Sequence, residues 1–145
     1  MQHELQYSLK THLERKLGVP VVWIYDGVSL PATKPFITIE QMQNNNDILS
    51  KLRESIQTTY RFQIGIYANN STQRPKLQAQ VVNAINYDTM TLYQTDTPPA
   101  TAVGFFNAFV TNVTPVTAES TDEKTKHHRV YLDVEIDHVA HKTKL

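Results

Sequence analysis

Three carboxylates spaced two residues apart near the end of the chain could hold a metal ion. Asp133, Glu135 and Asp137 alternate with apolar residues, so on a β-strand they would share one face, successive ones about 6–7 Å apart. Oxygen ligands suit Mg²⁺ or Mn²⁺ and would indicate a metal-dependent hydrolase or nuclease. The alternative is a solvated strand face that discourages edge pairing. Because no second carboxylate cluster or motif completes a site, we favour the solvated face.

Histidines near the C-terminus raise a similar question about zinc. His127 and His128 are adjacent, and His138 and His141 follow. Zinc needs convergent imidazole or thiolate ligands, and two histidines three residues apart at a strand end do not converge as they would on a helix. We therefore interpret them as surface histidines, whose protonation near pH ~6 could adjust an interface.

The remaining composition favours binding over catalysis. The chain has no cysteine and only four glycines, and it contains no nucleophile-elbow, Walker-type or dinucleotide-binding motif. Lys plus Arg and Asp plus Glu both total 14, so no basic surplus supports a general nucleic-acid binder. We expect a protein that is not an enzyme, with no catalytic residue, no cofactor and no bound metal. With no signal peptide and no membrane span apparent, we also expect a soluble protein made in a cytoplasm.

Hydrophobic periodicity predicts the elements that position these residues. Leu5, Leu9, Leu13 and Leu17 form one apolar stripe of an amphipathic helix that ends at Gly18. Clean alternation of apolar and polar residues predicts two long, half-buried antiparallel strands. The loop residues Asn69 to Thr72 precede a second helix and supply its N-cap. The predicted strands span residues 19–25, 36–40, 56–66, 90–93, 105–116 and 129–138, and the second helix spans residues 72–87.

The order α-β-β-β-α-β-β-β predicts a single domain over residues 1–145. Two helices would pack on one face of a mainly antiparallel sheet, giving an α+β sandwich of two layers. Two polar loops, residues 41–47 and 119–128, are either ordinary solvated connections or segments that order on contact with another subunit.

The arrangement resembles the tail terminator, or tail completion, proteins of long-tailed bacteriophages. The resemblance covers nearly the whole chain and is carried by element order and pattern. It includes the opening helix from Leu5 to Leu17, the long strand from Tyr60 to Ala68, the helix from Leu77 to Ile85, and the strand from Arg129 to Ile136 after a long polar hairpin.

This resemblance implies a structural role in head–tail joining. Copies of the chain would form a hexameric ring through a heterologous interface. The ring would cap the tail tube protein, meet the head connector or stopper protein, and let DNA pass through its lumen without specific binding. It would belong to the tail or neck of the virion, assembled in the host cytoplasm. The residues that we expect to contact neighbouring subunits or partners are Asn44, Asn45, Asn46, Asp47, Glu119, Asp122, Glu123, Lys124 and Lys126.

The sequence leaves three other functions open. The chain could be a different neck or tail component, such as a connector stopper or a tube-like subunit. It could be a metal-dependent hydrolase that uses the carboxylates of its last strand. It could also be a cellular adaptor that binds a peptide by strand addition.

Overall fold

The described part of the chain forms two helices and eight strands. The computed structural model describes residues 1–25, 28–49, 55–116 and 128–141. The helices are α1 (Gln2–Leu17) and α2 (Gln73–Asn86). In chain order the strands are β1 (Val21–Trp23), β2 (Phe36–Gln41), β3 (Asn45–Ile48), β4 (Ser55–Tyr67), β5 (Met90–Gln94), β6 (Thr101–Phe106), β7 (Phe109–Pro115) and β8 (Arg129–His141). These elements confirm the predicted α+β class with a mostly antiparallel sheet.

The main sheet is built around its two longest strands. Its order is β1-β2-β4-β8-β7, and β3 pairs with β4 beside β2. β4 and β8 are antiparallel over their whole length, from Ser55 opposite His141 to Tyr67 opposite Arg129. β1 is parallel to β2, whereas the other pairs in this sheet are antiparallel. The two strands with the clearest alternation in the sequence therefore form the centre of the sheet.

One face of the main sheet carries the hydrophobic core. Both helices pack their apolar stripes onto this face, and each fully buried aliphatic side chain stabilises the fold by about 1.5–3 kcal/mol. The core residues of the helices are Leu5, Leu9, Leu13, Leu77, Val81, Ala84 and Ile85. Those of the sheet include Val21, Ile37, Ile39, Phe62, Ile64, Ile66, Val130, Leu132, Val134 and Ile136.

Local backbone chemistry fixes the helix ends. Gly18 has a φ of 68° and donates its N–H to Glu14 O at 2.9 Å, which ends α1; such a left-handed residue favours glycine. At the start of α2, Oδ1 of Asn70 accepts hydrogen bonds from the backbone N–H groups of Thr72 at 3.1 Å and Gln73 at 2.8 Å. Thr72 is the N-cap residue of α2. The side chain of Asn70, two residues before it, therefore satisfies backbone N–H donors at the start of the helix.

β5 and β6 form a separate two-stranded sheet. β5 packs along α1, and β6 lies on the other side of β5. The backbone N–H of Tyr93 donates to the fully buried Oγ of Ser8 at 2.9 Å, and Met90 is buried in the core. These contacts hold the small sheet against the first helix.

The structure differs from the predicted elements in two places. Residues 45–47, predicted as part of a polar loop, form β3 together with Ile48 because the long β4 offers them an edge to pair with. The single strand predicted over residues 105–116 is two strands, β6 and β7, in different sheets. Ala108, between them, is buried, and Val110 donates its N–H to Asn86 Oδ1 at 2.8 Å, so the chain changes sheets at residues 107–108.

Candidate interaction surfaces

The carboxylates of β8 lie on the sheet face opposite the helices, and each has a neighbour on the next strand. Oε1 of Glu135 accepts a hydrogen bond from Nε of Arg61 at 2.9 Å. Oδ1 of Asp137 accepts one from Oγ1 of Thr59 at 2.7 Å. Oδ2 of Asp133 lies 3.4 Å from Nδ2 of Asn112. These cross-strand contacts agree with a polar strand face better than with a set of free metal ligands.

The ionisable side chains around the same strand do not converge on a point. Within residues 1–25, 28–49, 55–116 and 128–141, no three His, Cys, Asp or Glu side chains come close enough to hold a metal ion. His138 is paired with Thr58, on the opposite face of β8 from Asp137, because neighbouring residues of a strand alternate between faces. His127 and the side chain of His141 lie outside the described part of the chain.

The Asn-rich segment after β2 is tied to the rest of the fold. Nδ2 of Asn44 donates to Gln2 Oε1 at 2.8 Å, and its Oδ1 accepts from the backbone N–H of Arg61 at 3.3 Å. Oδ1 of Asn46 accepts from Oγ1 of Thr58 at 2.6 Å. With its amide oxygen turned toward Arg61, Asn45 accepts from Nη1 at 2.8 Å. The segment is therefore a hydrogen-bonded bend followed by a strand.

The other predicted contact residues fall between β7 and β8 in the sequence. The β7–β8 pairing itself is present, with Pro115 opposite Val130. These predicted contact residues lie outside the described residues; they are Glu119, Asp122, Glu123, Lys124 and Lys126.

β3 and the adjoining ends of β4 and β8 extend past the core. This three-stranded extension comprises residues 45–48, 55–59 and 137–141. Along β4 the side chains change from half-buried near Ser55 to fully buried at Ile64, and Ile48 on β3 is 58% exposed. The extension thus presents backbone edges and polar side chains away from the helices.

An aromatic cluster closes the far end of the face that bears the carboxylates. The rings of Phe36 and Tyr67 stack with centroids 4.5 Å apart, and the guanidinium carbon of Arg129 lies 4.6 Å from the Tyr67 centroid. Burial, reinforced by the nearby hydroxyl of Tyr131, raises the pKa of Tyr67 to about 12. This end of the face is a structural cluster of aromatic rings next to one cation.

A shallow depression lies in the middle of the same face. It has a volume of about 250 Å³, and Met42, Arg61, Asn112 and Glu135 are among the residues that line it. Pockets that enclose small ligands have volumes of about 300–1,000 Å³ and mostly apolar walls. The depression is below this volume range, and Arg61 and Glu135 form an ion pair among its lining residues.

The side of the molecule formed by β6 and β7 exposes large apolar residues. We call it the β6–β7 side; its exposed residues are Val103, Phe105, Phe109 and Val113, and Phe105 is 74% exposed. From Thr97 to Ala118 the sequence contains no Asp, Glu, Lys, Arg or His. Sequence reasoning missed this side, although the uncharged run was a signal that could have identified it.

The opposite side of the main sheet ends at β1. Pro20 O accepts from Ile37 N at 2.9 Å, and Ile24 N donates to Ile39 O at 2.8 Å. Since successive residues of a strand direct their backbone groups to alternate sides, Val21 and Trp23 direct theirs away from β2. The nearby Tyr25 is 65% exposed. We call this edge, with residues 17–25, the β1 side.

Comparisons with known proteins identify no family. No protein-family model matches the chain, and no curated protein matches it. Within the described residues, no helix is long and apolar enough to cross a membrane.

Proposed function

We propose that the chain is a non-enzymatic structural subunit of the tail or neck of a long-tailed bacteriophage. Copies form a ring, hexameric on the virion, that ends polymerisation of the tail tube and provides the surface joining tail to head. The protein resides in the virion, which is assembled in the host cytoplasm. DNA passes through the ring without specific binding.

The observation that carries this proposal is the pair of unlike sheet edges. β1 and β7 end the main sheet on opposite sides, and no other described strand pairs with their outer edges. A ring of identical subunits built by head-to-tail contacts needs two different surfaces on each copy. A formal net charge of zero also means that copies do not repel one another at long range.

The two ends of the main sheet suit contacts above and below such a ring. The three-stranded extension projects beyond the helices at one end of the sheet and exposes Asp47 and Ile48. β7 ends and β8 begins at the other end, since Pro115 is opposite Val130 while Phe109 is opposite Glu135. We assign these two ends to the tail tube protein and the head connector or stopper protein, without assigning which end meets which.

Electron microscopy of a phage lacking the gene tests the proposal. A terminator mutant should produce overlong tails and separate, filled heads, and the gene supplied in trans should restore joined particles with tails of normal length. Finished tails beside leaking heads would instead identify a connector stopper. Joined particles with normal tails in the absence of the protein would overturn the proposal.

A further inference from the structure

The β6–β7 side lacks the devices that usually protect an exposed strand edge. Edge strands of monomeric proteins are blunted by charged residues, proline or a covering element. β6 contains no charged residue and no proline, and outside Gly104 and its chain neighbours no heavy atom lies within 4 Å of the position that a Cβ on Gly104 would occupy, so one face of the strand is open there. On β7, only Pro115 removes a donor from the edge. An uncharged, apolar edge of this kind is a site of association.

The composition of this side restricts what can cover it. A charged partner such as nucleic acid or an acidic peptide finds no opposite charge between Thr97 and Val116. A membrane surface is equally unfavoured, because basic residues that would attract anionic lipid are missing from the same segment. The remaining occupant is an uncharged protein surface that offers apolar side chains and unpaired backbone groups.

The β1 side has these properties. Residues 17–25 are uncharged, and Tyr25 exposes its side chain at the end of this segment. Val21 and Trp23 direct their backbone N–H and C=O groups outward from the sheet. We propose that the β6–β7 side of one copy is covered by the β1 side of a second copy. This inference rests on the proposed function, because it names the two surfaces that join neighbouring subunits of the ring.

The positions of the two sides make the contact heterologous. β1 and β7 are separated by three strands in the same sheet, or about 19 Å at the usual spacing between strands. Neither side can therefore cover the other within one copy. An assembly of any number of copies therefore keeps one free β1 side and one free β6–β7 side. It can grow by further copies until the rotation from one copy to the next brings these two free sides together and closes a ring.

Charge substitution tests the contact in the purified full-length chain. The native protein should self-associate in sedimentation experiments at protein concentrations up to ~1 mM, which detect even weak contacts. Val103→Lys and Phe105→Lys should each weaken association about tenfold or more, because a buried, unpaired ammonium is costly. Gln80→Lys, on the exposed surface of α2, adds the same charge elsewhere and should leave association unchanged. Circular dichroism melting should show that all three variants remain folded.

Cross-linking identifies the two surfaces, since the chain has no native cysteine. In a Val22→Cys, Ala102→Cys double variant, a short bifunctional maleimide should produce a ladder of oligomers. Each single variant should produce no ladder. Dimers of the Ala102→Cys single variant would show that like sides meet, and would overturn the proposal, as would a native chain that stays monomeric at ~1 mM.

The two proposals fail in different ways. A cross-linked ladder together with normal tails in the gene deletion would leave the contact intact and refute the phage function. Overlong tails in the deletion together with no ladder would leave the function intact and refute this contact.

Discussion

Nε of Arg61 donates to Oε1 of Glu135 at 2.9 Å across the central pair of strands. The two side chains are 37% and 34% exposed, and they lie on the sheet face opposite α1 and α2. Arg61 also donates its backbone N–H to Oδ1 of Asn44 at 3.3 Å, so the same residue links the central strands to the bend before β3. Glu135, one of the candidate metal ligands, is therefore ion-paired with Arg61 on the neighbouring strand.

This ion pair should contribute little to stability in the isolated subunit. Exposed pairs are screened by water and salt, so Glu135→Gln should change the free energy of unfolding by less than about 1 kcal/mol. Arg61→Met should cost more than Glu135→Gln, because it also removes the hydrogen bonds between the guanidinium and Asn45. Urea denaturation of both variants and of the double variant, at low and high salt, measures the coupling. A coupling energy above about 2 kcal/mol that salt does not reduce would contradict an exposed pair.

Gly65 is required by close packing on the face opposite the helices. A Cβ at this position would collide with Oγ1 of Thr38 and would lie 3.0 Å from Cε1 of Tyr67 and 3.2 Å from Cε1 of Tyr131. Gly65→Ala should therefore lower the free energy of unfolding by about 1–3 kcal/mol, as measured by urea denaturation.

Gly104 provides the matched control for that substitution. A Cβ added to Gly104 would have no heavy atom within 4 Å outside its chain neighbours, so Gly104→Ala should be neutral or stabilising by up to about 1 kcal/mol. Adding Thr38→Ala to Gly65→Ala should recover part of the loss, since it removes the colliding hydroxyl. Equal effects of the two glycine substitutions would show that packing over Gly65 is not the cause.

Stability should fall at alkaline pH through Tyr67. Burial raises the pKa of Tyr67 to about 12 from an ordinary value of 10.0. The folded state therefore holds this proton more tightly than the unfolded state. The stabilisation is fully present below pH 10 and is lost as the pH rises toward about 12, with a slope of at most about 1.4 kcal/mol per pH unit.

Comparison of Tyr67→Phe with the native chain isolates this contribution. The variant should lose less stability between about pH 10 and pH 12, because the phenol that resists ionisation is absent. Tyr25→Phe, at an exposed position, should follow the native curve. Denaturant titrations at several alkaline pH values provide the measurement, and parallel curves for the native chain and Tyr67→Phe would refute the prediction.

The hydrogen bond between Ser8 and Tyr93 should couple helix α1 to the β6–β7 side. Ser8→Ala leaves the N–H of Tyr93 without its acceptor, which should cost about 1–3 kcal/mol of unfolding free energy. Because β5 positions β6, the variant should also weaken self-association in sedimentation experiments. Ser71→Ala, at an exposed position, is the control. If Ser8→Ala destabilised the fold without any effect on association, the contact between α1 and β5 would not influence the β6–β7 side, and this prediction would be wrong.

Patterned segments were predictable from the sequence, and unpatterned ones were not. Alternation in β4 and β8 identified their buried faces, and the leucine stripe identified α1, because burial imposes a period on these residues. β3 was missed because Asn45, Asn46 and Asp47 have low strand propensity, and only pairing with β4 makes them a strand. β1 and β2 were predicted as strands, but their parallel pairing depends on contacts between distant segments, which local patterns do not encode.

The candidate surfaces were predictable only in part. The sequence placed Asp133, Glu135 and Asp137 on one strand face, but their cross-strand neighbours depend on register. Residues 44–47 were predicted as contacts because they are hydrophilic, whereas the amides of the three asparagines among them form hydrogen bonds within the fold. The β6–β7 side was overlooked because exposed apolar residues in a predicted strand look like core until the sheet order is known.

The most direct test images particles from a phage that lacks the gene, complemented with variants of the chain. We expect the carboxylate variant Asp133→Asn, Glu135→Gln, Asp137→Asn to restore joined particles with tails of normal length, because no reaction depends on these groups. Phe105→Lys should leave overlong tails and separate heads, because the contact between copies is lost. The opposite pattern, with assembly restored by Phe105→Lys and abolished by the carboxylate variant, would contradict a function based on self-association.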